Sequence, residues 1–445
     1  METVEVVGGG LAGSECALQL AARGVPVRLY EQRPTHKSPA HSTDRFAELV
    51  CSNSLKSTKD DTAPGVLKHE LDAMGCKLLG IARQCSVPAG GALAVDRELF
   101  SAAVTGAIEA APLIEVVRQE VTKIPQGPAV IAAGPLCSEA LFSAIGDAVG
   151  SESLSFYDAA APIVSAESID RTVAFEQSRY GESGGGDYLN CPMDKEHYDA
   201  FVDALLSAER VIARDFEQRD LFSACQPVEE VPRKRRESLL FGALKPVGLE
   251  DPRTGKRPWA VVQLRAENSA RTAYNLVGFQ TNLTWPEQRR VFRMIPGLEN
   301  AEFLRYGVMH RNSFVDSPHV LDRTFKIPGT RCRLAGQITG TEGYVEAIAS
   351  GLLAAVNTYA DLMGVECASL PQTGALGSLV AYATDPMTKG YQPMHVNFGL
   401  LPPLPDAPRK KDLRRRKLAA RAVEDTRSYV ESRPDLFPKL TESPS

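Results

Sequence analysis

Three kinds of residue in this chain can do chemistry: a glycine-rich loop able to hold phosphate, a set of thiols, and clusters of arginine and lysine. The loop is Gly8-Gly9-Gly10-Leu11-Ala12-Gly13, a G-x-G-x-x-G sequence that directly follows the strand-like Val4-Glu5-Val6-Val7. Gly8 permits a tight turn, Gly10 lets backbone amides approach a pyrophosphate, and Gly13 lets the helix opening near Leu11 lie close to the sheet. At the end of the next strand-like run, Val25 to Glu31, the carboxylate of Glu31 stands where it would accept ribose hydroxyls. The glycine motif alone is weak. With a strand before it, an Ala/Leu-rich helix after it and an acidic partner, it reads as a dinucleotide site rather than a structural turn. The cysteines number nine, an odd count with no C-x-x-C pair, which argues for reduced thiols and against a disulfide frame or a zinc site.

A second glycine-rich helix start decides which dinucleotide. Ala335-Gly336-Gln337-Ile338-Thr339-Gly340-Thr341-Glu342-Gly343-Tyr344 leads into the helical run Val345 to Asn357. In two-glycine-site flavoproteins such a late helix aims its positive N-terminus at the flavin, where it stabilises negative charge on the reduced ring. Gly336 and Gly343 would allow the close approach. Tyr344 either borders the isoalloxazine or packs against the fold. Between the two motifs, Val130-Ile131-Ala132-Ala133-Gly134 reads as a strand ending in a small-residue turn, a third element of an FAD-binding fold. The expected cofactor is FAD.

The elements that must position these residues alternate strand and helix as far as about Arg179. Gly181-Glu182-Ser183-Gly184-Gly185-Gly186 then interrupts the pattern, Lys195 to Glu209 reads as an amphipathic helix, and Trp259 to Leu264 and Asn275 to Phe279 read as strands. The fold expected is α/β: a two-glycine-motif, Rossmann-like FAD-binding domain at 1–180 and 305–445, discontinuous around an inserted α+β domain at 181–304. The tail after Pro434 is expected to fray. With 445 residues the chain can bury a large core, and 50 Lys+Arg against 55 Asp+Glu leave any nucleic-acid binding to local patches. The N-terminus carries no basic segment and no apolar run approaches the ~18 residues of a membrane span, so a cytoplasmic enzyme is expected.

Further motifs carry a family resemblance. Cys51-Ser52-Asn53-Ser54, Pro88 to Arg97 (PAGGALAVDR), Tyr188-Leu189-Asn190-Cys191-Pro192-Met193 and Gly307-Val308-Met309-His310-Arg311-Asn312 occur in this order. Together they resemble the folate- and FAD-dependent tRNA (uracil-5-)-methyltransferases, and the resemblance spans nearly the whole chain. It implies transfer of one carbon from 5,10-methylenetetrahydrofolate to a T-loop uridine of tRNA, with reduced FAD supplying electrons. It also implies Cys51 and Cys225 as catalytic thiols and His310 as the group stacking on the pterin.

The residue types suit that reaction. Carbon 5 of uracil is a poor nucleophile until a group adds at carbon 6, and a thiolate is a natural adder. A base must later remove the proton on carbon 5. Which thiol attacks the base, and which handles the proton or the flavin-bound carbon, is open, and Cys191 has no assigned role. The other cysteines, Cys16, Cys76, Cys85, Cys137, Cys332 and Cys367, read as inert buried groups. There is no second G-x-G-x-x-G, so NADH or NADPH would visit the flavin transiently.

Two basic clusters could meet RNA phosphates: Arg233-Lys234-Arg235-Arg236, and Arg409-Lys410-Lys411 with Arg414-Arg415-Arg416-Lys417. The bland reading of each is a solvated helix face. No RRM or KH signature appears, so tRNA would be recognised by shape, and its target base would have to leave its stack. Three other readings are a wobble-uridine carboxymethylaminomethyl-modifying flavoprotein, which carries a longer C-terminal helical extension, a small-molecule flavin oxidoreductase, and a non-catalytic RNA-binding scaffold. A flavin oxidoreductase would leave the paired thiols and basic clusters idle.

Overall fold

A computed structural model describes residues 1–38, 40–150, 154–180, 186–212, 226–388 and 390–438, and only the backbone of 154–158, 310 and 311. Five short strands form a parallel sheet in the spatial order Cys332–Leu334, Ala129–Ile131, Val4–Val7, Val27–Tyr30 and Ile114–Val117. The strand Ala129–Ile131 is wholly buried, as a strand covered on both faces must be. Four of these strands end in the loops singled out above: Val7 runs into Gly8, Tyr30 into Glu31, Ile131 into Ala132 to Gly134, and Leu334 into Ala335-Gly336. In an open parallel sheet the crevice beyond the carboxyl ends is where ligands bind.

The helix Leu11–Ala22 lies against the helix Tyr344–Met363, so both glycine-rich helix starts meet at that edge. The first loop tolerates little else than glycine at two positions. Gly8 has φ +102°, and a side chain at Gly13 would collide with the Gly8 carbonyl. Because Cys332–Leu334 completes the sheet after a long excursion, the first domain is discontinuous, as expected.

The excursion builds a second, antiparallel sheet in the order Phe175–Glu176, Tyr188–Met193, Ala260–Ala266, Ala273–Leu276, Ile163–Ser165, Phe303–Arg305. Side chains alternate between the two faces of Ala260–Ala266, and every residue is buried because both faces are covered. Ala260, Val262, Leu264 and Ala266 join a core with Tyr198, Phe201, Val202 and Leu205 of the helix Lys195–Ser207. Arg265 lies on the other face and reaches Asn53 of the first domain. Hydrogen bonding enlists Ile163–Ser165 and Phe175–Glu176 in this sheet, so pairing starts the second unit upstream of 181, where the composition changes.

Leu154–Ala159 and Met309–Phe314 pair as an antiparallel ribbon between the units. The C-terminal helix Lys411–Ser432 buries Leu418, Ala419, Ala422, Thr426 and Val430 and packs on Ala63–Ala73. The start of the tail does not fray. Leu436 and Phe437 are buried, and the Leu436 carbonyl accepts from the Arg23 guanidinium at 3.2 and 2.9 Å. Apolar burial with a charge-assisted bond holds the chain beyond Pro434 at least that far. Among the described residues no helix is long and apolar enough to cross a membrane.

Candidate active site

Gly8, Gly9, Gly10, Leu11, Ala12, Glu31, Gly134, Gly336 and Tyr344 line one cleft at the carboxyl edge of the parallel sheet. A methyl group built on Gly10 would meet nothing within 4 Å, so the middle of the loop faces open space beside the start of the Leu11–Ala22 helix. That is the cradle a pyrophosphate requires. Glu31 anchors one end. Its carboxylate accepts the Gly9 N–H at 3.0 Å and is gripped in bidentate fashion by Arg33 at 2.9 and 3.0 Å. Burial pushes the Glu31 carboxyl up, but Arg33 and the Gly9 and Arg33 amides outweigh it and hold it below its ordinary value. Glu31 therefore already supports the loop, and a ribose hydroxyl would share oxygens that Arg33 occupies. His41, in the same cleft, is brought down to about 4 by burial and the nearby Arg33 charge, which keeps its ring neutral. Glycines in the middle, an ionised carboxylate at one end and a helix N-terminus with Tyr344 at the other fit the FAD expected from the sequence.

Cys51 lies on the loop before the strand Ser54–Ser57, and three side chains fix its backbone. Three successive carbonyls point at guanidinium groups: Leu49 accepts from Arg97 at 2.6 Å, Val50 from Arg305 at 2.8 Å, and Cys51 from Arg97 at 3.1 Å. The backbone N–H groups of Cys51 and Ser52 donate to the Tyr344 hydroxyl at 2.7 and 3.2 Å. Burial pushes the Tyr344 phenol well up, so it stays protonated. Arg97 in turn pairs with Glu267, and Asn53 accepts from Arg265 at 2.7 Å. Arg265, Glu267 and Arg305 come from the second unit, so the Cys51 loop is the seam between the two. The Cys51 thiol donates to the Ala159 carbonyl at 3.5 Å.

A cavity of about 820 Å³ opens on the other side of this loop. Cys51, Ser52, Lys56, Glu342, Gly343, His395 and Arg415 line it. Val50, Pro135, Leu136, Gln337 and Tyr344 line both spaces, so cleft and cavity meet at Tyr344 beside Cys51. Lys56 donates to the fully buried Glu346 at 2.9 Å and brings a cation to the cavity wall. Burial and that cation lower the pKa of His395.

His310 lies on the ribbon strand Met309–Phe314, where Met309 pairs with Ala159 and His310 with Asp158. Its backbone is thus one register step from the carbonyl that takes the Cys51 thiol. Cys225 lies outside the described residues. The chain on either side of that stretch is anchored on one short segment, 280–282: Val211 donates to the Asn282 carbonyl at 2.8 Å and Val228 to the Gln280 carbonyl at 2.7 Å.

The basic clusters differ. Arg233 pairs with Glu230, Arg235 with Glu237 and Arg236 with Asp203, leaving Lys234 alone of the four without a described carboxylate partner. Arg414 and Arg415 have none among the described residues, Arg416 sits 3.9 Å from Asp61, and Arg415 lines the cavity. Cys137 and Cys191 are pushed up to about 12 by burial, and burial likewise raises Cys16, Cys76, Cys85, Cys332 and Cys367. A thiol held protonated is a poor nucleophile, which fits the inert reading of all of these but Cys191, which has no assigned role.

Sequence reasoning missed Arg265, Arg305, Lys56 and Glu346. Arg97 closes the motif Pro88 to Arg97, and only its position there hints at a role.

The family model of glucose inhibited division protein A matches residues 3–366. The chain is 56% identical over 422 residues to the methylenetetrahydrofolate–tRNA-(uracil-5-)-methyltransferase TrmFO of Geobacter sulfurreducens, covering 94% of this chain and 97% of that one. It is 50% identical over 424 residues to the protein of the same name from Bacillus subtilis, covering 95% and 97%. Among solved structures, GidA of Aquifex aeolicus superposes with a TM-score of 0.69 over 96% of this chain and 73% of that one, at 16% identity, which speaks for the fold. The chain belongs to the glucose inhibited division protein A family and, within it, to the methylenetetrahydrofolate–tRNA-(uracil-5-)-methyltransferase group.

Proposed function

We propose that this protein makes 5-methyluridine in the T loop of tRNA, taking one carbon from 5,10-methylenetetrahydrofolate. The observation that carries the reading is the position of Cys51 between a dinucleotide cleft and a cavity large enough for a pterin and a base, with Tyr344 shared by both. Gly8 to Ala12, Glu31, Gly134 and Gly336 would hold FAD, with Gly13, Gly343 and Tyr344 shaping its surroundings. When bound, FAD reduced by NADH or NADPH supplies electrons, and the folate supplies carbon.

The chain's own residues do the rest. Addition of a thiolate at carbon 6 of the uracil makes carbon 5 nucleophilic, and a base then takes the proton from carbon 5. Cys51 and Cys225 divide these two tasks. Arg97, Arg305 and Tyr344 fix the Cys51 backbone, so the sulfur meets the ring without a search through loop conformers. His310 would offer its ring to the pterin. The base reaches the cavity only out of its stack, which suits a loop nucleotide. Of the basic clusters, Arg414-Arg415-Arg416 is the better placed for phosphate, because Arg415 stands on the cavity wall while three members of Arg233-Lys234-Arg235-Arg236 are ion-paired.

The test is nucleoside mass spectrometry of undermodified tRNA incubated with the flavin-loaded protein, NADPH and methylenetetrahydrofolate. The parent should yield 5-methyluridine. Cys51→Ala and Cys225→Ala should each lower the yield by about two orders of magnitude or more while retaining flavin. NADPH oxidation without methyl gain in the parent would overturn the proposal.

A further inference from the structure

The helix Trp285–Phe292 begins with an indole that is 57% exposed. Trp285 stacks on Tyr306 with ring centroids 5.4 Å apart and planes 14° apart, and Tyr306 stacks on Phe303 at 5.2 Å and 12°. Elsewhere in this unit rings pack by a different geometry, as with Phe279 and Phe292 at 77°. A row of three near-parallel rings ending at an exposed indole has the spacing and face of a stack that another planar group could extend. Leu304, in the middle of the same strand segment, is 55% exposed.

The surroundings are cationic. Arg289 lies over the Tyr306 ring and donates to its hydroxyl at 3.0 and 2.7 Å, and it has no carboxylate partner among the described residues. Arg210 bridges Leu283, two residues before Trp285, and its guanidinium holds Glu230, which also holds Arg233. A backbone bridge and two ion pairs thus link the segment just before Trp285 to the first basic cluster. On the other side Arg305, between Leu304 and Tyr306, donates to the carbonyl of Val50, the residue before Cys51.

We propose that Trp285, backed by Tyr306 and Phe303, is a stacking platform for an unpaired base of the RNA substrate, a neighbour of the base that enters the cavity. The proposal rests on the tRNA reading above. A loop base that leaves its stack strips its neighbour of a partner, and an indole face among arginines replaces that partner whatever the base is. The stack is bolted through Arg305 to the Cys51 loop, so a base held there keeps the RNA in register with the thiol.

The chain has two tryptophans, Trp259 and Trp285, so a Trp259→Phe holoenzyme reports on Trp285 alone. Titration with undermodified tRNA should quench that fluorescence. Trp285→Ala should raise the tRNA Kd and KM about tenfold with kcat within about twofold, and Trp285→Phe should restore most of the loss. Tight tRNA binding with unchanged Trp285 fluorescence, or a Trp285→Ala Kd within about twofold of the parent, would overturn the platform and leave the tRNA reading standing. If the parent holoenzyme binds no tRNA, both fall.

Discussion

Both oxygens of Glu31 are committed to Arg33, and one also takes the Gly9 amide. Its removal acts on the cofactor loop from two directions: Gly9 loses its acceptor, and the buried Arg33 keeps Glu48 alone as a charged partner among the described residues. Charge-assisted bonds of this kind contribute about 1.5–3 kcal/mol each. Glu31→Ala should therefore weaken flavin binding by about 30-fold or more, read as a fall in the 450 nm to 280 nm absorbance ratio after gel filtration. Full retention of flavin would show that the Gly9 loop keeps its shape without the carboxylate. The same residue illustrates a limit of motif reading. Spacing predicts an acidic group near the ribose, but it gives no sign that an arginine two residues on already grips that group.

Elements meet through buried carboxyls as well as apolar faces. Glu70, on the helix Ala63–Ala73, accepts the N–H groups of Ala375 and Leu376 at 2.6 and 2.9 Å and so caps the helix Ala375–Thr384 from outside. Burial pushes its carboxyl up from 4.5 to about 7, with the two amides opposing. Between these values the folded chain holds a proton that the unfolded chain releases. Stability from this group is therefore full below about 4.5 and is lost as pH rises through about 7. Glu229, raised by burial to about 7 as well, adds a second contribution of the same sign. Glu70→Gln should lose part of the decline in Tm between acidic and mildly alkaline pH, a difference on the order of 2 kcal/mol, followed by thermal unfolding across that range. An unchanged slope would mean that Glu70 is ionised in the folded state throughout. The joint between helices 63–73 and 375–384 leaves no local mark in the sequence, because about 300 residues separate a carboxylate from the amides it caps.

At the scale of the molecule, the two units are joined where the chemistry is proposed to occur. Arg97 holds two carbonyls of the Cys51 loop and pairs across the seam with Glu267, and both side chains are largely buried. Removing one partner of a buried pair leaves the other charged and unsolvated, at about 3–5 kcal/mol. Arg97→Ala should lower Tm and reduce methyl transfer at least about tenfold while the flavin stays bound, since Arg97 does not line the dinucleotide cleft. Glu267→Gln, which keeps a hydrogen-bond acceptor for Arg97, should be milder on both measures. Loss of flavin in parallel with activity would instead make Arg97 a residue of general folding.

The sequence by itself determined what depends on short spacing. The glycine loop and Glu31, the late glycine-rich helix start, the alternation of strands and helices and the Cys51 motif were all readable because turns, helix starts and strand periodicity are set by residues a few positions apart. Membership of a family followed from motif order. Tertiary structure alone decided what those residues meet. Arg97, Arg265 and Arg305 converge on positions 49 to 53 only once two sheets have formed, and nothing local marks an arginine as a clamp for a distant carbonyl. The sharing of Tyr344 between cleft and cavity, the ion pair of Arg236 with Asp203, and the anchoring of Leu436 by Arg23 have the same cause. Each is a contact between groups far apart in sequence, whose geometry exists only after the chain has packed.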